Sequence, residues 1–187
     1  MQNAIIFLID TFTRLYLLIL LLRFWLPLLR ANFRNPVAQG ILRYTSPLIV
    51  PVRRYLPSVG QIDTATVLVA MLIQLAAAFL ILIVRRGAAA FDAVATSFLP
   101  LLVAAFFELA SLSVVMFIVA IVLRVIFGLF GRYFGPLSDL LNEMTEPLMR
   151  PIRRIIPPLG VVDLSAYIVI VLLIALNMVL ADLQPRF

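Results

Sequence analysis

Four long apolar runs divide the chain, from about Ala4 to Leu29, Thr64 to Val84, Phe98 to Phe130 and Leu164 to Ala181. Each reaches about 18 residues or more, the length that crosses a hydrocarbon core. Lipid offers the backbone no hydrogen-bond partners, so each run is expected as a transmembrane helix. The first run lacks a basic leading segment and a small-residue cleavage site, and it is too long for a signal sequence. It is therefore expected to stay as a span.

The connections are unequal. Residues 30–63 and 131–163 form two long loops that hold nine of the 12 prolines, whereas Arg85 to Ser97 is short. The layout is span, long loop, span, and then the same again. Residues 1–90 and 91–187 thus read as two repeats. A pair of spans returns the chain to its starting side, so the repeats run parallel, related by an axis along the membrane normal. The loops themselves repeat: TSPLIVPVRRYLPSVGQID from Thr45 to Asp63 returns as TEPLMRPIRRIIPPLGVVD from Thr145 to Asp163.

Each loop opens on a helix-start signal, Asn35-Pro36 and Gly135-Pro136. In the second loop, Leu137, Leu140, Leu141, Met144 and Leu148 follow helical spacing, with Asp139, Asn142, Glu143 and Glu146 opposite. The first loop repeats this less cleanly with Val37, Ile41, Leu42, Thr45 and Leu48 against Gln39 and Arg43. Each segment is expected as an amphipathic helix of about three turns. Its apolar face either lies in the membrane interface or packs on the bundle. The segments Pro51–Pro57 and Pro151–Pro157 follow, each with a double arginine, Arg53-Arg54 and Arg153-Arg154. Their prolines are expected to break the helix. The arginines either anchor the loop at the phosphate layer or form a docking surface for a partner or anionic lipid. Gly60 and Gly160 allow turns, and Asp63 and Asp163 are expected to cap the following spans. A sharper expectation pairs Asp63 with Arg23 and Asp163 with Arg124, closing each hairpin.

Arginine counts favour long loops in the cytoplasm and both termini outside: nine arginines lie in the long loops and three on the other face. Asp10, Arg14, Arg23, Glu108 and Arg124 fall inside apolar spans, where ionisable residues are candidates for function. Asp10 and Arg14 are one turn apart and can neutralise each other. Gln74 and Asn177 are expected to hydrogen-bond between helices.

Composition narrows the chemistry. The chain is 64% hydrophobic with mean hydropathy +1.15, and it has no Cys or His. That removes disulfides, thiolate nucleophiles, imidazole catalysis and the common zinc and haem ligands. No phosphate-binding loop or nucleophile elbow occurs, so an enzyme is not expected, nor is a cofactor. All 15 basic residues are Arg and the net charge is +6. No basic soluble domain exists to carry nucleic-acid binding.

With its doubled proline–arginine motif between four spans, the chain resembles the YggT family of bacterial membrane proteins, related to the YlmG proteins and to plastid homologues. The resemblance covers essentially the whole chain and fits the two-repeat form. The family motif falls on Pro51, Arg53, Arg54, Pro57, Gly60 and Asp63, and on Pro151, Arg153, Arg154, Pro157, Gly160 and Asp163. The resemblance implies a multi-pass protein of the bacterial inner membrane without a defined enzymatic activity. It implies roles in osmotic tolerance or ion homeostasis in bacteria, and in cytochrome b/f assembly or nucleoid organisation in plastids. The expectation is a scaffold or assembly factor that meets anionic headgroups, a membrane-protein partner or further copies of itself. The alternative is a small oligomeric ion channel or transporter.

Overall fold

A computed structural model describes residues 2–56, 58, 60–129, 135–155 and 163–185. These residues form an all-α protein of six helices: α1 (Gln2–Leu28), α2 (Pro36–Arg53), α3 (Thr64–Arg86), α4 (Ala89–Leu129), α5 (Pro136–Ile155) and α6 (Leu164–Leu183). Four of them, α1, α3, α4 from Phe98, and α6, are long and apolar enough to cross a membrane. The chain is a helical membrane protein. α1 packs on α3, α3 on α4, and α4 on α6, so the two hairpins lie side by side. α2 packs on α1 and α3, α5 packs on α4 and α6, and the two arm helices touch each other.

The hairpin-to-hairpin connection is shorter than the sequence suggests. It is a turn at Gly87, with φ +58°, and Ala88, after which α4 runs unbroken for 41 residues with Pro100 inside it. The Ala-rich start, Ala88 to Ala90, is made of the strongest helix former and lets the helix resume at once. At 1.5 Å per residue α4 is about 60 Å long. That is roughly twice the hydrocarbon thickness, so α4 carries well past it.

The arms also differ from expectation. They are helices of 18 and 20 residues, about five turns, and Pro47, Pro51, Pro147 and Pro151 lie inside them. The prolines do not break the helices because they sit one turn apart on the exposed face. There the carbonyls that lose their amide donors point away from the core, where solvent can satisfy them.

Both arms are packed against the bundle. Ala38, Thr45 and Ile49 of α2 are buried, as are Leu140, Leu141, Met144, Thr145 and Met149 of α5. Trp25 of α1 meets Phe117 of α4 edge-to-face at 4.9 Å, tying the hairpins together.

Candidate functional site

Each arm is fastened to its hairpin by a polar cluster, buried in the first repeat and half-buried in the second. In the first repeat Arg23, near the end of α1, is 4% exposed. Its Nη1 donates to Thr45 Oγ1 at 2.8 Å, Leu42 O at 3.1 Å and Ser46 Oγ at 3.3 Å. Its Nε lies 3.7 Å from Asp63 Oδ2. Asp63 also accepts from Arg53 Nη2 at 2.7 Å and Thr66 Oγ1 at 2.8 Å, and its Oδ1 caps α3 by accepting from the Thr66 amide. One carboxylate thus joins three helices. The expected Arg23–Asp63 pair and the Asp63 cap are both present.

In the second repeat the same parts are wired differently. Arg124 Nη1 donates to Thr145 Oγ1 at 2.7 Å and to Met149 Sδ at 3.4 Å, and its Nη2 to Glu146 Oε2 at 2.9 Å. Arg153 bridges Glu146, at 3.2 Å, and Asp163. The expected Arg124–Asp163 pair is replaced by the chain Arg124–Glu146–Arg153–Asp163. The reason is local: Glu146 occupies the place of Ser46 and offers Arg124 a nearer carboxylate. Asp163 caps α6 as expected, accepting from the Ser165 amide at 3.1 Å and from the Ser165 hydroxyl. Burial pushes the Asp163 carboxyl up. The Ser165 hydroxyl and the Arg153 guanidinium outweigh this and hold its pKa below the ordinary value.

Thr45 and Thr145 were legible as repeated positions but not as partners of Arg23 and Arg124. Both are fully buried, and each hydroxyl also donates to the carbonyl one turn back, Ile41 O and Leu141 O. Their identity in both loop copies was the available signal.

The double arginines divide in placement. Arg53 and Arg153 turn inward to the capping aspartates, whereas Arg54 and Arg154 are exposed and make no ion pair among the described residues. Arg34, Arg43 and Arg150 are likewise exposed and unpaired among those residues. Tyr44 and Tyr55 stand out from the first arm, 79% and 87% exposed. Pro51 and Pro151 lie on the exposed helix face, and Gly60, with φ +61°, makes the turn into α3. Pro57, Pro157 and Gly160 lie outside the described residues.

This split is testable by stability. Arg53→Gln is expected to lower the unfolding free energy by about 1 kcal/mol, a charge-assisted hydrogen bond discounted because half of Arg53 is open to solvent. Arg54→Gln is expected to leave it unchanged. Titrated unfolding in mixed micelles measures both, and equal losses would contradict the division.

The arms are joined to each other at their starts. Asn35 caps α2 by accepting from the Val37 amide at 2.9 Å and donates to Pro136 O at 2.6 Å. The Asn32 amide donates to Glu143 Oε2 at 2.8 Å. Two equivalent helix starts therefore meet at one end of the bundle.

The opposite end holds the other intramembrane charges. Arg14 donates to Asp10 and to Glu108, each at 2.9 Å, and Gln184 donates to Glu108 at 3.2 Å. This network links α1 to α4 and to the end of α6. Ser111 Oγ donates to Asn177 Oδ1 at 2.6 Å, the expected bond between spans. Gln74 makes no such bond among the described residues and instead lines a cavity near Asp10 and Glu108. Between the hairpins lies an apolar cleft of about 480 Å³, walled by Leu20, Trp25, Ala70, Phe117 and Leu173.

The CCB3/YggT family matches residues 2–84 and 103–184, one region in each hairpin. The chain belongs to the CCB3/YggT family. It is 38% identical over 183 residues to a Vibrio alginolyticus protein from the proC 3′ region, covering 97% of this chain and 96% of that one. To YggT of Escherichia coli it is 33% identical over 184 residues, covering 97% and 91%. A Pseudomonas aeruginosa protein is 38% identical over 168 residues, covering 88% and 82%. No solved structure gives a significant match. The matched regions contain Arg23, Arg124 and both capping aspartates, so CCB3/YggT membership spans the polar clusters that fasten the arms.

Proposed function

We propose that this protein is a non-enzymatic scaffold or accessory factor for other membrane proteins, acting through its two arms. The observation that carries the reading is the division of the arginine pairs. One member of each pair is used up in holding the arm, while the other is exposed and makes no ion pair among the described residues. Arg43, Arg54, Tyr44 and Tyr55 then form an exposed basic and aromatic face on the first arm. Arg and Tyr are the side chains that interfaces enrich, and they suit anionic headgroups equally. The setting proposed with it is osmotic or envelope stress at the inner membrane, in line with the osmotic tolerance that the family resemblance implies.

Crosslinked capture from native membranes tests the docking role. Changing Arg43, Arg54, Arg150 and Arg154 to Gln is expected to strip specific protein partners while the protein level stays normal. An unchanged partner set would reduce the arginines to anchors. The charged cavity beside Gln74 favours a second reading, a small oligomeric ion channel. Liposomes holding the purified protein separate the two: the scaffold passes no ions, whereas a flux lost in Glu108→Gln would establish the channel.

In this reading the arms face the cytoplasm and both termini lie outside. A reporter active only outside the cytoplasm, fused after the last residue, is expected to be active. Activity of a cytoplasm-only reporter at that position would reverse the topology.

A further inference from the structure

At the end of the bundle opposite the arms, a cavity of about 560 Å³ opens among α1, α3 and α4. Its polar lining includes Asp10, Arg14, Gln74, Arg85, Arg86 and Glu108, the last also accepting from Gln184. Ala77, Leu82, Leu101 and Ala104 supply an apolar wall. The charges fall into two groups. Among the described residues, Asp10 and Glu108 share the single guanidinium of Arg14, which leaves one of their two negative charges without a basic partner there. On the α3 side Arg85 and Arg86 close the helix and make no ion pair among the described residues.

The carboxylates and the unpaired guanidiniums lie open on one cavity at the ends of the spans, so charge of both signs is available to a ligand there. A ligand carrying both signs meets both groups at once. The adjoining apolar wall suits a hydrocarbon chain. We propose that this cavity is a binding site for a phospholipid with a zwitterionic, primary-ammonium headgroup. The phosphate lies on Arg85 and Arg86, whose guanidiniums match phosphate geometry. The ammonium lies on the Asp10–Glu108 pair, and one acyl chain runs along the wall at Ala77 and Ala104. A primary ammonium has three donors for the two carboxylates, and a trimethylated one has none. The site is independent of the arms and of their docking role.

The full chain in nanodiscs with equal phosphatidylethanolamine, phosphatidylcholine and phosphatidylglycerol tests this, with retained lipid counted by native mass spectrometry. Phosphatidylethanolamine is expected to be retained roughly tenfold over either of the others. Glu108→Gln should abolish the preference, as should Arg85→Gln with Arg86→Gln, and Glu108→Asp should keep it. Equal retention of phosphatidylethanolamine and phosphatidylcholine would overturn the proposal. So would a phosphatidylglycerol preference that survives Glu108→Gln, since that describes a plain anion site. The unaltered protein gives a second measure that does not depend on a variant folding. Stepwise N-methylation of the headgroup should lower retention at each methyl, and a flat response refutes the ammonium contact. Excess soluble phosphoethanolamine should leave the lipid in place; displacement would reassign the site to a free zwitterion.

Discussion

Asp63→Ala is expected to lower the unfolding free energy by about 3–5 kcal/mol, the largest loss from any single change at the arm sites. Arg23 is buried, and without Asp63 its charge loses the one carboxylate beside it among the described residues. Breaking a buried pair from one side costs that much because the remaining charge stays desolvated and uncompensated. The cap of α3 is lost in the same step, since Asp63 accepts from the Thr66 amide and hydroxyl. Unfolding titrated with a denaturing detergent in micelles gives the number. The equivalent Asp163→Ala should cost less. Arg153 is 30% exposed and Arg124 17% exposed, and both keep Glu146. Equal losses in the two repeats would refute the wiring described for them.

The same geometry predicts how a swap behaves. Exchanging the charges, Arg23→Asp with Asp63→Arg, would restore an isolated pair. Here it should not. An arginine at position 63 could neither cap α3 nor accept from Arg53, and an aspartate at position 23 could not donate to Thr45. Removing both charges, Arg23→Met with Asp63→Asn, should recover more, because the buried charge goes together with its partner.

Ile49→Ala and Met149→Ala are expected to be the next most damaging, at about 2–5 kcal/mol each, the usual range for truncating a buried Ile or Met to Ala. Both side chains are almost wholly buried where the arms meet the bundle. Leu48→Ala, one residue away and 48% exposed, should cost far less. The same detergent titration compares the three. A costlier change at Leu48 than at Ile49 would mean that the arm lies on the membrane by its other face.

That pair of neighbours shows where sequence reasoning stopped. Helical spacing from Leu137 led to Leu148, and through the repeat to Leu48. The structure packs Leu148 partly against the core, buries Met149 and Ile49 almost wholly, and leaves Leu48 half open. Spacing defines a stripe, but the width of the buried face depends on what the helix packs against. For α2 that is both α1 and α3. The prolines taught a similar lesson. Pro51 and Pro151 read as breakers because each removes an amide donor. Their position on the exposed face, which only packing reveals, makes the loss tolerable.

The site residues were legible by type and less so by partner. Asp63 and Asp163 were recognisable as caps because a cap is a local feature, written in the residue and the helix that follows it. The Asp10–Arg14 pair was recognisable for the same reason, being one helical turn. The partners of Arg124 were not. Glu146 competes with Asp163 for it, and the winner is decided by distances between helices that share no local sequence.

Hydropathy along the chain determined the four spans, and the offset copy of the loop determined two parallel hairpins with an arm in each. Those follow from short-range rules: backbone in lipid must be helical, and equal sequences make equal elements. Tertiary structure alone decided which arginine of each pair holds the arm and which is exposed. It alone brought Arg14 to Glu108 and set Arg85 and Arg86 on the same cavity. Such choices depend on the burial and separation of groups far apart in the chain, and charge energies in a low-dielectric bundle are set by those distances.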